Sequence, residues 1–74
     1  MAEQTAGAQT LSRGLRALEL LAEHGPVTIQ ELADLLGVHR SIAYRIVRTL
    51  EAHRLVVRDA GGRLELGAQL AVLA

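Results

Sequence analysis

Residues 38–50 constrain the fold of this chain more than any other stretch. Advancing about 100° per residue as a helix, they separate into two faces. Ile42, Ala43, Ile46 and Leu50 gather on one side as a seam to be buried. Arg40, Ser41, Tyr44, Arg45 and Arg48 fall on the other, within an arc of about 140°. That second face carries three guanidiniums, a hydroxyl and the one aromatic ring of the chain. Its length and chemistry suit a DNA major groove.

Composition narrows the remaining choices. A chain of 74 residues, half of them hydrophobic, makes one small globular domain with an aliphatic core, since Phe and Trp are absent. With no cysteine there are no disulfides and no thiolate metal sites. No apolar run is long enough for a bilayer and no secretory signal opens the chain, so a cytoplasmic protein with no membrane partner is the expectation. Net charge is zero, but its distribution is uneven. Residues 1–37 carry two arginines against five carboxylates, and residues 38–74 carry six against three. All eight basic residues are Arg. A coding bias explains that choice but not the crowding, which points toward a polyanion.

Along the chain, residues 1–9 lack periodicity and read as a flexible tail. Leucines at 11, 15, 18 and 21 form a helical stripe, with Thr10 or Ser12 as N-cap and Gly25-Pro26 as the stop. Val27 opens a short strand. Thr28 and Glu31 then match a capping box for a second helix, striped by Ile29, Leu32, Ala33 and Leu36 and ended by Gly37. The third helix runs over residues 39–53. Residues 55–58 and 63–66 read as two strands joined by the turn Asp59-Ala60-Gly61-Gly62. Residues 67–74 start another apolar helix, whose abrupt end suggests a piece of a longer protein.

Helix, tight turn at Leu36-Gly37-Val38, helix and hairpin in that order predict a winged helix-turn-helix: mainly α, with three helices, a two-stranded wing and a linker helix. Gly37 meets the need for a left-handed residue at the turn, with Val38 as the apolar plug beneath it. The domain spans residues 10–66 on this reading.

Residues 11–73 resemble the N-terminal DNA-binding domain of IclR-type transcriptional regulators. The resemblance rests on residues 11–21, on Glu31-Leu32-Ala33 with Leu36-Gly37-Val38, on Arg40-Ser41, Tyr44-Arg45 and Thr49-Leu50-Glu51, and on residues 62–67. It implies a bacterial repressor or activator that binds double-stranded operator DNA as a homodimer. It also implies a linker helix to a C-terminal domain, absent here, that senses a small-molecule effector. The chain departs from the family pattern at three positions. Ile42 replaces a usual Thr, Arg54 a common Gly, and Leu64 an aromatic. A left-handed Arg54 would be strained by on the order of 1 kcal/mol.

The expected DNA-binding residues are Thr28, Arg40, Ser41, Tyr44, Arg45, Arg48 and Arg63. Arg45 and Arg48 lead, as phosphate or guanine contacts, against a solvated face in which they pair with Glu51. Ser41 reads equally as helix cap or DNA contact. Tyr44 offers its hydroxyl to phosphate or lies over the core edge. Thr28 combines its cap with a possible phosphate contact. Arg63 beside the Gly61-Gly62 tip is favoured over Arg58 as the wing contact. The first helix has apolar surface at Leu20 and Leu21 beyond what its own stripe uses and, together with the helix after Gly67, is the candidate for dimer contacts.

His24, His39 and His53 do not share ligand spacing, and no catalytic triad or phosphate-cradling loop is present. The expectation is therefore no enzyme, no metal and no cofactor. Two other classes stay open: a winged-helix protein-interaction module without DNA binding, and a small-molecule sensor.

Overall fold

The computed structural model describes residues 6–74 of the chain. Three helices and a hairpin follow in the expected order: α1 (Ala6–His24), α2 (Ile29–Leu36), α3 (Arg40–Ala52), β1 (Val56–Arg58), β2 (Leu64–Leu66) and a short α4 (Gln69–Leu73). This is the winged helix-turn-helix. Helix α1 reaches back to Ala6, into the segment expected as a tail, so neither Thr10 nor Ser12 is its N-cap. Residues 1–5 of that segment lie outside the described residues.

Helix α1 buries a different line from the one its leucines suggest. Gly14, Ala17, Leu20 and Leu21 are buried, whereas Leu11 and Leu15 are exposed and Leu18 is half-buried. Leucines wrap most of this helix, so its own periodicity offers two stripes. The buried one carries Gly14 and Ala17, and Ala17 is fully buried in the core. Leu20 and Leu21 therefore belong to the core, and their expected role as spare dimer surface is corrected.

Local chemistry sets the boundaries of α2. The Thr28 hydroxyl accepts from the Glu31 amide at 3.1 Å, and the Thr28 amide donates to the Glu31 carboxylate at 2.8 Å. Both halves of the capping box are present. At the other end Gly37 takes φ 71°, and the amides of Gly37 and Val38 donate to the carbonyls of Asp34 and Ala33. These are the paired bonds of a Schellman motif, which satisfies carbonyls the helix would leave free. Val38 beyond the turn is half-buried.

Helix α3 buries Ala43, Ile46 and Val47, with Ile42 and Leu50 half-buried against the core. Val47 is thus a core residue that the expected seam omitted. A second Schellman pair closes α3: Leu55 N–H donates to Leu50 C=O and Arg54 N–H to Glu51 C=O. Arg54 sits at the left-handed position with φ 62°, the one non-glycine residue with positive φ among those described.

The wing follows directly. Val56 pairs with Leu66, Val57 with Glu65 and Arg58 with Leu64 in an antiparallel ladder. Val27 adds a single bridge to Leu64, through bonds of 3.1 and 2.7 Å, and so stitches the hairpin to the α1–α2 connection. Gly67 is buried where β2 leaves the sheet, and a Cβ there would overlap the Arg54 carbonyl oxygen. Its amide donates to Leu55 C=O at 2.8 Å. No described helix is long and apolar enough to cross a membrane.

The strain at Arg54 is testable. Removing its Cβ in Arg54→Gly should raise stability by about 1 kcal/mol, read as a higher urea midpoint. An unchanged or lower midpoint would show that the side chain compensates for its own backbone strain.

Candidate nucleic-acid interface

The outward face of α3 is polar along its whole length. Arg40, Ser41, Tyr44, Arg45, Arg48 and Thr49 are all exposed, one helix turn following another, while Ala43 and Val47 are fully buried on the opposite side. Of the residues expected to meet DNA, the structure brings together Arg40, Ser41, Tyr44, Arg45 and Arg48 on this surface. Thr28 and Arg63 form a second group. The Val27–Leu64 bridge sets Thr28, at the start of α2, beside the entry to β2.

Charge on the face is not neutralised locally. Glu51 is the one acidic residue in α3, and its carboxylate accepts from Arg58 Nε at 3.2 Å and from a terminal guanidinium nitrogen of Arg58 at 3.5 Å. The ion pair that could have occupied Arg45 or Arg48 therefore goes to the wing. Among the described residues Arg40, Arg45 and Arg48 form no ion pair. The Arg48 guanidinium instead lies over the Tyr44 ring, 6.0 Å from its centroid. An exposed Arg58–Glu51 pair is worth about 0–1 kcal/mol. Its larger consequence is to leave the α3 arginines unpaired.

The N-terminus of α3 is organised by His39, which the sequence places at the start of the helix without marking it as a cap. His39 is the N-cap: its Nδ1 accepts from the Ser41 amide at 3.1 Å and lies 2.9 Å from the Ser41 hydroxyl. Because Nδ1 is an acceptor from a backbone donor, the neutral ring carries its proton on Nε2. Histidine is not a favoured cap residue, and the nearby serine was the stronger sequence signal. Ser41 is the capped residue, with His39 as its cap. Its hydroxyl is not free, since it faces the His39 ring.

At the tip of the wing, Asp59 accepts through one carboxylate oxygen from the amides of Gly61 and Arg63, both at 2.9 Å. The Asp59 amide donates to Arg63 C=O at 2.8 Å. The turn is therefore fixed by its aspartate, and Arg63 leaves it from a defined backbone position. The Arg63 charge is felt at Glu31. That carboxyl is held below its ordinary value of 4.5, first by the Thr28 amide bond, then by the Thr28 hydroxyl, with Arg63 adding to the effect.

Two outcomes follow from these caps. His39→Ala should cost about 1 kcal/mol in urea unfolding, and His39→Asn, which restores a side-chain acceptor, should recover most of it. Equal stability of the alanine variant and the parent would remove His39 from the cap. The depressed Glu31 value means that its stabilising effect is present above about pH 4.5 and is lost as pH falls through the folded value. Thermal melts across that window should therefore decline less steeply for Glu31→Gln than for the parent. Parallel declines would show that the box is insensitive to this charge.

Residues 10–60 match the IclR helix-turn-helix domain. No curated protein matches the chain. Among solved structures, an IclR transcriptional regulator from Alicyclobacillus acidocaldarius is 32% identical, with a TM-score of 0.85, over 96% of this chain and 28% of its own. An IclR-family transcriptional regulator from Rhodococcus sp. is 26% identical, with a TM-score of 0.82, over 97% of this chain and 30% of its own. The S-adenosylmethionine-dependent methyltransferase SibL is 30% identical, with a TM-score of 0.73, over 86% of this chain and 19% of its own. The chain thus spans less than a third of each of these proteins. With more than half of its length matched by the family and the winged helix-turn-helix fold in place, the chain belongs to the IclR helix-turn-helix domain family.

Proposed function

We propose that this domain binds double-stranded operator DNA as the DNA-binding unit of an IclR-type transcriptional regulator acting in the cytoplasm. Helix α3 enters the major groove, and the wing lies against the adjacent backbone. One observation carries the reading: three exposed arginines share the outward face of α3 with no ion-pair partner among the described residues. A solvated face would tolerate the carboxylate of Glu51 beside them. Here that carboxylate is turned to Arg58. Arg40, Ser41, Arg45 and Arg48 meet bases and phosphates along the groove, with Tyr44 between them. Thr28 and Arg63 reach backbone phosphates at the flank.

Dimerisation belongs to the same proposal, on the two expected helices but through other residues of α1. On these helices the large exposed apolar residues are Leu11 and Leu15 on α1 and Val72 and Leu73 on α4, rather than Leu20 and Leu21. A symmetric dimer would place half-sites roughly 34 Å, one DNA turn, or a multiple of it apart. Effector sensing would fall to a further domain, as the greater length of the solved regulators suggests. The likeness to SibL places a similar fold in an enzyme chain. The unpaired arginine face favours DNA over a protein-interaction module in this case.

The test is fluorescence anisotropy with a labelled random-sequence duplex. Arg45→Ala combined with Arg48→Ala should weaken binding at least about tenfold at low salt and flatten the log–log salt slope by up to about two. Both side chains are exposed, so circular dichroism should stay that of the parent. Unchanged affinity in a folded variant would sink the proposal and leave the protein-interaction reading.

A further inference from the structure

We infer that Tyr44 serves recognition through its ring rather than its hydroxyl, as a positioning residue that holds the Arg48 guanidinium for a base edge. The inference rests on the proposed docking of α3 in the major groove. Tyr44 stands one helix turn before Arg48, and the guanidinium carbon lies 6.0 Å from the ring centroid. As the one aromatic residue of the chain, at 46% exposure, it is not part of the aliphatic core. The Arg48 guanidinium lies over its ring face, a placement that helical spacing alone does not announce.

The manner in which Arg48 is held matters chemically. Its donors form a fork that hydrogen-bonds, whereas the ring attracts the cation as a whole and offers those donors no conventional acceptor. An ion pair with Glu51 would have restrained Arg48 as well, but would have engaged the same N–H groups that a guanine edge requires. Arg58 takes Glu51, so Arg48 is restrained by a contact that leaves its fork free. Arg40 and Arg45 have no such ring beside them. Side-chain freedom that the cation–π attraction already reduces need not be lost on binding. Arg48 is then the arginine of this face best prepared for bidentate readout, and Tyr44 sets its discrimination.

The experiment begins by selecting the preferred duplex from a random-sequence pool with the parent chain. Affinities for the selected duplex and for an unrelated duplex are then measured for Tyr44→Phe, Tyr44→Ala, Arg48→Ala and the double alanine variant. The expected result is that Tyr44→Phe matches the parent, and Tyr44→Ala weakens the selected duplex about two- to fivefold, the range of an exposed cation–π contact. Tyr44→Ala should weaken the unrelated duplex less than the selected one and add nothing to Arg48→Ala. A purely structural role would weaken both duplexes alike. Loss in Tyr44→Phe equal to that in Tyr44→Ala would assign the effect to the hydroxyl and overturn the inference. Additive losses in the double variant would overturn it too. Salt-dependent binding without any enriched sequence would overturn it while leaving DNA binding intact, and no duplex binding at low salt would end both.

Discussion

Leu64 is the residue through which the helical part and the wing become one body. Its side chain is fully buried with Leu32, Val47 and Val56, and its backbone pairs with Val27 on one side and Arg58 on the other. Truncating a buried leucine costs about 2–5 kcal/mol, a large share of the 5–15 kcal/mol that holds a typical domain together. The aliphatic core is small, so this single position fixes the hairpin against α1 and the α1–α2 connection. Arg63 precedes Leu64 directly, and the placement of the wing arginine is inherited from this packing.

The same economy governs the outward surface. Ala43 and Val47 point inward with no exposure, which leaves Arg40, Tyr44, Arg45 and Arg48 no alternative to the solvent side of α3. Whether that side presents free charge is decided elsewhere, by the Arg58–Glu51 pair between wing and helix. The pair adds little stability but removes the one acid of α3 from competition. Capping by His39 fixes where the face begins, and the Schellman turn through Arg54 fixes where it ends.

Signals confined to a few neighbouring residues were legible in the sequence. The Thr28–Glu31 box, the left-handed Gly37, the two faces of α3 and the hairpin about Gly61-Gly62 each rest on local chemistry, and each is in the structure. Features decided by distant packing were not. Five leucines wrap α1, and only its contact with the other elements selects the line through Gly14 and Ala17. Arg58 meets Glu51 across the turn from α3 into β1, a partnership no helical spacing announces. His39 took a cap position for which serine was the expected residue. The candidate face of α3 was legible, and its internal pairing was not.

The most direct test of the central claim is an amide-resolved NMR titration of the chain with a random-sequence duplex at low salt. The account predicts shift changes concentrated on the first three turns of α3, at Thr28–Ile29 and at the wing tip through Arg63, fading as salt is raised. Changes confined to Leu11, Leu15 and α4, or none at all, would contradict the claim that the arginine face of α3 is the nucleic-acid interface.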